Sequence, residues 1–230
     1  MTNGLVFHLD SDDTNSYPGS GDTWTDLASG IEMTAQGTTM SLVSNHGNSS
    51  INSFKMDGNG YWESDTNHDK VDMAGECTLV LWYYRESKLS GRDSIFEKRA
   101  TTRDHSYEQE IAVAAHPDGD AEGSLSYYSG YDANKYDYGF VFNVNINAWN
   151  QVAIKMSSGK TSVARQGWYS ANGASFTEDY TSRTSTAIHP AGNIVVGDGY
   201  NGRMESGYIA EVMVYNRTLT DVEILYITIM

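Results

Sequence analysis

Gly207-Tyr-Ile-Ala-Glu-Val-Met-Val-Tyr-Asn-Arg-Thr-Leu-Thr-Asp-Val-Glu-Ile224 is the stretch on which the fold turns. Tyr208 to Tyr215 is dominated by β-branched and aromatic residues and predicts a strand, in which Glu211 is the one charge among apolar neighbours. Thr220-Asp-Val-Glu223 then has the spacing of a capping box, with Leu219 and Ile224 placed as its hydrophobic staple. A short helix is therefore expected directly after the last strand. At the other end of the chain, Leu5-Val-Phe-His-Leu9 is a short apolar strand ended by the polar run Asp10 to Asn15. Tyr17-Pro-Gly-Ser-Gly-Asp22 follows as a turn, proline presetting φ and glycine supplying positive φ.

Between these ends the chain alternates short apolar runs with turn residues. In Ser53-Phe-Lys-Met-Asp57 the residues Phe54 and Met56 share a face, and Gly58-Asn-Gly60 before Tyr61-Trp62 is a hairpin signal. Cys77-Thr-Leu-Val-Leu-Trp-Tyr-Tyr84 is apolar on both faces, which predicts a central strand covered on both sides. Further strands are expected at 94–97, 110–114, 124–128, 139–144, 149–156, 163–169 and 193–196. The one from Trp149 to Met156 carries a slip of register after Asn150 if Trp149 and Val152 are to share the core. Many short strands at roughly ten-residue intervals are the signature of a sandwich or jelly roll.

Five segments in order carry a family resemblance. These are Gly4–Asp10 with Tyr17-Pro-Gly-Ser-Gly21 and Trp24-Thr-Asp-Leu27; Phe54-x-Met-Asp-Gly58; Glu76-Cys-Thr-Leu-Val-Leu-Trp82; Asn147-x-Trp-Asn-Gln-Val152; and the closing Gly207–Glu223. Together they resemble the laminin-G-like domains of the concanavalin A-like lectin/glucanase superfamily. The resemblance implies an all-β, two-sheet antiparallel jelly-roll sandwich with one short C-terminal helix, spanning residues 1–230 as a single domain. Domains with this opening are similar to those of bacteriophage structural proteins. That implies a virion protein that binds a glycan or other host-surface ligand, or decorates the capsid or tail beside other virion proteins. On this view the scaffold tryptophans Trp24 and Trp149 are core pillars.

Composition narrows the function further. The chain has 30 acidic and 15 basic residues, a formal net charge of −15, which argues against nucleic acid as a partner. No apolar run reaches the 18 or more residues of a membrane span, so membrane insertion is not expected. Met-Thr-Asn-Gly-Leu at the start has neither the charged nor the apolar region of a signal peptide, which fits synthesis in a host cytoplasm followed by assembly into a particle. The single cysteine, Cys77, rules out an intramolecular disulfide and reads as a small buried hydrophobe.

Three candidate chemistries remain. Laminarinase-like relatives carry Glu-x-Asp-x-x-Glu; here Glu63-Ser-Asp-Thr-Asn-His68 ends in histidine and lies in a polar, turn-like segment, so catalysis is not expected. Asp118, Asp120 and Glu122 in His116-Pro-Asp-Gly-Asp-Ala-Glu-Gly123 could hold Ca2+, although Pro-Asp-Gly is also an ordinary hairpin turn. The acidic run Asp10–Asp13 with Asp22 and Asp26 has the same two readings, and Asp57 and Asn59 sit in a loop that could contribute to a rim of oxygen ligands, while the six histidines show no paired spacing. Last, Tyr131, Asp132, Asn134, Tyr136, Asp137 and Tyr138 form a tyrosine-rich polar stretch, with Tyr200 a second surface between glycines. Tyrosine among small polar residues gives rigid contact area with adaptable hydrogen bonds, as a sugar site needs. The same residues also suit the edge of a strand. A purely structural interface, in a particle or a homo-oligomer, is the alternative use of such a surface.

Overall fold

The computed structural model describes residues 2–38, 40–65, 70–71, 73, 76–86, 93–99, 109–115, 124–132, 135–143, 145–157, 166–171, 177–180, 192–198 and 206–227. Among them are sixteen strands and one α-helix. In chain order the strands are β1 (Leu5–Asp10), β2 (Thr23–Thr25), β3 (Glu32–Gly37), β4 (Ser41–Val43), β5 (Ser53–Met56), β6 (Gly60–Ser64), β7 (Cys77–Arg85) and β8 (Asp93–Arg99). They continue as β9 (Gln109–Ala115), β10 (Ser124–Asp132), β11 (Lys135–Asn143), β12 (Ala148–Ser157), β13 (Gln166–Ala171), β14 (Thr177–Tyr180), β15 (Asn193–Val196) and β16 (Gly207–Tyr215), before helix α1 (Asp221–Ile227).

Two eight-stranded antiparallel sheets face each other, as the all-β jelly-roll reading requires. The first runs β14-β13-β12-β7-β16-β5-β4 with β1 also on β16; the second runs β11-β10-β9-β8-β15-β6-β3-β2. The two ends of the chain meet in the first sheet, where β1 pairs with β16 and sets Asp10 opposite Glu211. Strand β5 covers the first part of the same edge of β16 at Gly207–Ile209, and β1 covers the rest.

The core lies between the sheets. Tyr17, Trp24, Phe54 and Trp62 form its aromatic centre, with ring centroids 4.6 Å apart for Trp24–Phe54 and 4.9 Å for Phe54–Trp62. Trp24 is the pillar the sequence suggests. Strand β7 is central and covered on both sides: Cys77, Leu79, Leu81 and Tyr83 face the core, while Val80 packs outward beneath α1 with Ala153, Met213, Leu219, Ile224 and Ile227. The capping box forms as read, with the Thr220 N–H donating to Glu223 Oε2 at 2.8 Å and the Glu223 N–H to Thr220 Oγ1 at 3.2 Å. Thr78 ties the helix entrance to the sheet, its Oγ1 donating to the Arg217 carbonyl at 2.9 Å and accepting the Leu219 N–H at 3.0 Å.

Three local expectations change. Gly58-Asn-Gly60 does not close a hairpin: β5 belongs to the first sheet and β6 to the second, so the turn is a corner between layers. Phe54 and Trp62 can then reach the core from opposite sides. Strand β12 has no slip, because all nine pairs from Ala148–Arg85 to Met156–Cys77 run in unbroken register with β7. Unbroken alternation turns Val152 and Ile154 inward and Trp149 outward, so Trp149 is not a core pillar. Glu63 and Ser64 are strand, not turn, and Glu63 accepts a hydrogen bond from Asn193 Nδ2.

Candidate functional site

Trp149 facing outward draws attention to the outer side of the first sheet. Directly opposed residues of antiparallel strands project to one face, so the pairing divides that side into rows. One row is Ala153, Val80, Met213 and His8; the next is Gln151, Trp82, Glu211 and Asp10; the third is Trp149, Tyr84 and Tyr208. The β-bulge at Ala210 shifts the register between Ile209 and Glu211, and this keeps Tyr208 and Glu211 on the same face.

The outer rows are covered. Helix α1 lies over Val80, Ala153 and Met213. The turn His46–Asn48 lies over the third row: the His46 ring stacks on Tyr208 at 3.6 Å between centroids and meets Tyr84 edge-on at 4.4 Å. Trp149 Nε1 donates to the His46 carbonyl at 2.9 Å, and Tyr208 Oη donates to Glu86 Oε1 at 3.1 Å. Burial and the adjacent Glu86 carboxylate push the Tyr208 hydroxyl up to about 12. The middle row lies between these covers, and in it Trp82, Glu211 and Asp10 are each only partly buried. Gln151, in the same row, is buried, so among the described residues the row presents Trp82, Glu211 and Asp10.

Its chemistry is acidic with one imidazole. His8 Nε2 lies 2.7 Å from Glu211 Oε1, and one ligand atom each of His8, Asp10 and Glu211 lies within 4.8 Å of the other two. Burial raises the Glu211 carboxyl above the ordinary carboxylate range, the His8 bond opposes that rise, and the charges of Asp10 and Asp12 add to it. Backbone anchors hold the group. The Asp12 N–H donates to Asp10 Oδ1 at 2.8 Å, and Asp10 N–H donates to Ser16 Oγ at 3.1 Å. Asp26 is a structural residue: its carboxylate accepts the N–H groups of His8, Ala28 and Ser29 at 2.6, 2.9 and 2.8 Å, and so pins β1 to the loop after β2.

Residues 56–225 match the sequence profile of a laminin-G family described as the concanavalin A-like lectin/glucanases superfamily. The chain belongs to that superfamily. No curated protein matches the sequence of this lectin/glucanase-type chain. Solved structures with the same fold include the Trypanosoma rangeli sialidase, at 15% identity and a TM-score of 0.61 over 96% of this chain. They also include the botulinum neurotoxin serotype D binding domain, at 12% identity and a TM-score of 0.65 over 100% of this chain. The receptor binding domain of botulinum neurotoxin mosaic serotype C/D is similar at 12% identity, 99% coverage and a TM-score of 0.66. The chain spans 32% of the sialidase and 51–53% of the toxin domains, so the likeness is one of fold.

Within this laminin-G-like framework the sequence-predicted residues fall in three places. Tyr131 and Asp132 end β10, and Tyr136, Asp137 and Tyr138 open β11. The tyrosine-rich stretch is thus an edge hairpin rather than a loop, with Tyr131 opposite Tyr136 and Asp132 opposite Lys135. Asn134, Tyr200, Asp118, Asp120 and Glu122 lie outside the described residues. The acidic run behaves otherwise than as one rim: Asp10 joins Glu211, and Asp26 is taken up by backbone N–H groups. Cys77 is buried as expected. Sequence reading missed His8 with Glu211, 203 positions apart, because only the β1–β16 pairing joins them. The visible signal was two charge-bearing residues, each on an otherwise apolar strand. Among the described residues no helix is long and apolar enough to cross a membrane.

Proposed function

We propose that the protein is a non-enzymatic, carbohydrate-binding jelly roll whose ligand lies on the outer face of the first sheet, across Trp82. The observation that carries this reading is the middle row, where, among the described residues, the partly exposed Trp82 indole stands beside the partly exposed carboxyl groups of Glu211 and Asp10. Sugars present an apolar face to an aromatic ring and hydroxyls to amides and carboxylates, and a rigid sheet holds such groups without loop ordering. Membership of a lectin-containing superfamily and fold likeness to receptor-binding toxin domains support the same reading. The setting we propose is a bacteriophage particle, supported by the resemblance of the opening segment and by the acidic surface.

Hydrolysis is disfavoured because both carboxyl groups of this pair are already engaged. Glu211 is engaged by His8, and Asp10 by the Asp12 N–H.

A glycan array followed by titration of the best hit tests the proposal. Trp82→Ala should weaken binding about tenfold, the equivalent of about 1.4 kcal/mol, in protein whose circular dichroism still shows the folded sheets, while Tyr131→Ala/Tyr136→Ala should bind normally. Loss in the tyrosine pair and retention in Trp82→Ala would move the site to the β10–β11 hairpin. A clean negative from folded protein would favour a structural role in a particle or homo-oligomer.

A further inference from the structure

We infer that His8, Asp10 and Glu211 form a binding site for a divalent first-row transition metal ion, Zn2+ being the natural probe. The three side chains come from two adjacent strands, not from a loop. His8 and Asp10 are alternate residues of β1, on the face that Glu211 shares from β16, and the backbone register fixes all three. One imidazole nitrogen and two carboxylate oxygens lie within 4.8 Å of one another, with His8 Nε2 and Glu211 Oε1 already 2.7 Å apart. Two ligands on one tetrahedral ion at about 2.0–2.2 Å lie about 3.4 Å apart, so side-chain movements of about 1–1.5 Å bring the set around a single point. Binding would replace the His8–Glu211 hydrogen bond and release its proton.

A second observation points to a cation. Among the described residues, no lysine or arginine forms an ion pair with Asp10, Asp12 or Glu211, and His8 is the basic group bonded to Glu211. Asp12, exposed beside the pair, adds a third carboxylate whose side chain is turned to the Asn52 N–H. A divalent ion would offset that acidic excess. The donor set also selects the ion. Calcium and magnesium take oxygen ligands, whereas imidazole with carboxylates suits zinc, manganese, iron, cobalt or nickel. Three protein ligands leave coordination positions open to water or to a ligand oxygen.

The inference does not depend on sugar binding, because its readout is the metal alone. Protein stripped with chelator and desalted is titrated with ZnCl2 by calorimetry, with CaCl2 in parallel. One equivalent of Zn2+ should bind at least tenfold more tightly than Ca2+. His8→Ala and Glu211→Gln should each weaken Zn2+ at least tenfold while leaving the circular dichroism unchanged, and Asp10→Asn, at the sheet edge, serves if either variant fails to fold. Co2+ loaded in place of Zn2+ should show visible ligand-field bands that His8→Ala abolishes. The absence of Zn2+ binding, equal binding in His8→Ala and Asp10→Asn, or Ca2+ binding tighter than Zn2+ would each overturn the assignment.

Discussion

Substituting Gly47 by alanine tests how the turn over the third row is held. Gly47 has φ of +64°, and a Cβ there would lie 2.6 Å from Tyr84 Cε2 and 3.3 Å from Trp149 Nε1. The Tyr84 ring cannot swing aside, since His46, Trp149 and Tyr208 pack around it. Keeping the turn in place would cost about 1–2 kcal/mol for the left-handed backbone and about 1–3 kcal/mol for overpacking. Releasing the turn instead forfeits the His46–Tyr208 stack, worth about 0.5–1.5 kcal/mol, and the Trp149–His46 hydrogen bond, worth about 0.5–1.5 kcal/mol. Release is the cheaper course. The expected loss is therefore capped at about 1–3 kcal/mol, and a 2 kcal/mol loss lowers Tm by about 4–8 °C for a chain of this size. Urea unfolding measures the loss, and iodide quenching, referenced to a Trp149→Phe background, measures exposure of Trp149. Gly47→Asn removes most of the φ penalty but keeps the Cβ, so it should release the turn as well. Full rescue by asparagine, a loss above about 4 kcal/mol, or unchanged quenching would refute the reasoning.

Other outcomes follow from the same geometry. Thr78→Val keeps the shape but leaves the buried Leu219 N–H without its partner, and should cost about 1–3 kcal/mol in urea unfolding, whereas Thr78→Ser should cost much less. Thr220→Ala removes the N-cap of α1 and should cost about 1 kcal/mol, read from the same transitions. The hydrogen bond from Arg217, together with the Thr220 N–H, holds the Glu223 carboxyl down to about 2, below the about 4.3 of an unfolded chain. A depressed carboxyl stabilises the fold above its unfolded value and loses that contribution as pH falls from about 5 towards 2. The pair is about a quarter exposed, so screening limits the effect to about 0.2–1 kcal/mol. Melting temperatures of Glu223→Gln and the parent should converge over that window, and a constant gap would disprove the linkage.

Much of the framework was legible in local chemistry. The capping box, the staple of Leu219 and Ile224, the two-faced burial of β7 and the strand at Asn193–Val196 all depend on residues within a few positions of each other. The slip assigned to β12 failed for a different reason. It assumed that a tryptophan beside apolar residues belongs to the core, whereas Trp149 is housed on the outer face by a carbonyl from the turn at His46. The corner at Gly58–Gly60 failed because turn residues specify a reversal of the chain, not which sheet the next strand joins.

The candidate site divides along the same line. Sequence by itself determined that this is an acidic, all-β, laminin-G-like chain, and that Glu211 is out of keeping with its apolar strand. It could not bring Glu211 to His8 and Asp10, nor set Trp82 between Gln151 and Glu211. Those neighbours are produced by strand register, a long-range property set when whole apolar faces close on one core. A shift of one residue in β1 or β16 would turn His8 and Asp10, or Glu211, into that core. The cost of burying those charged side chains is what lets the tertiary structure alone fix the site.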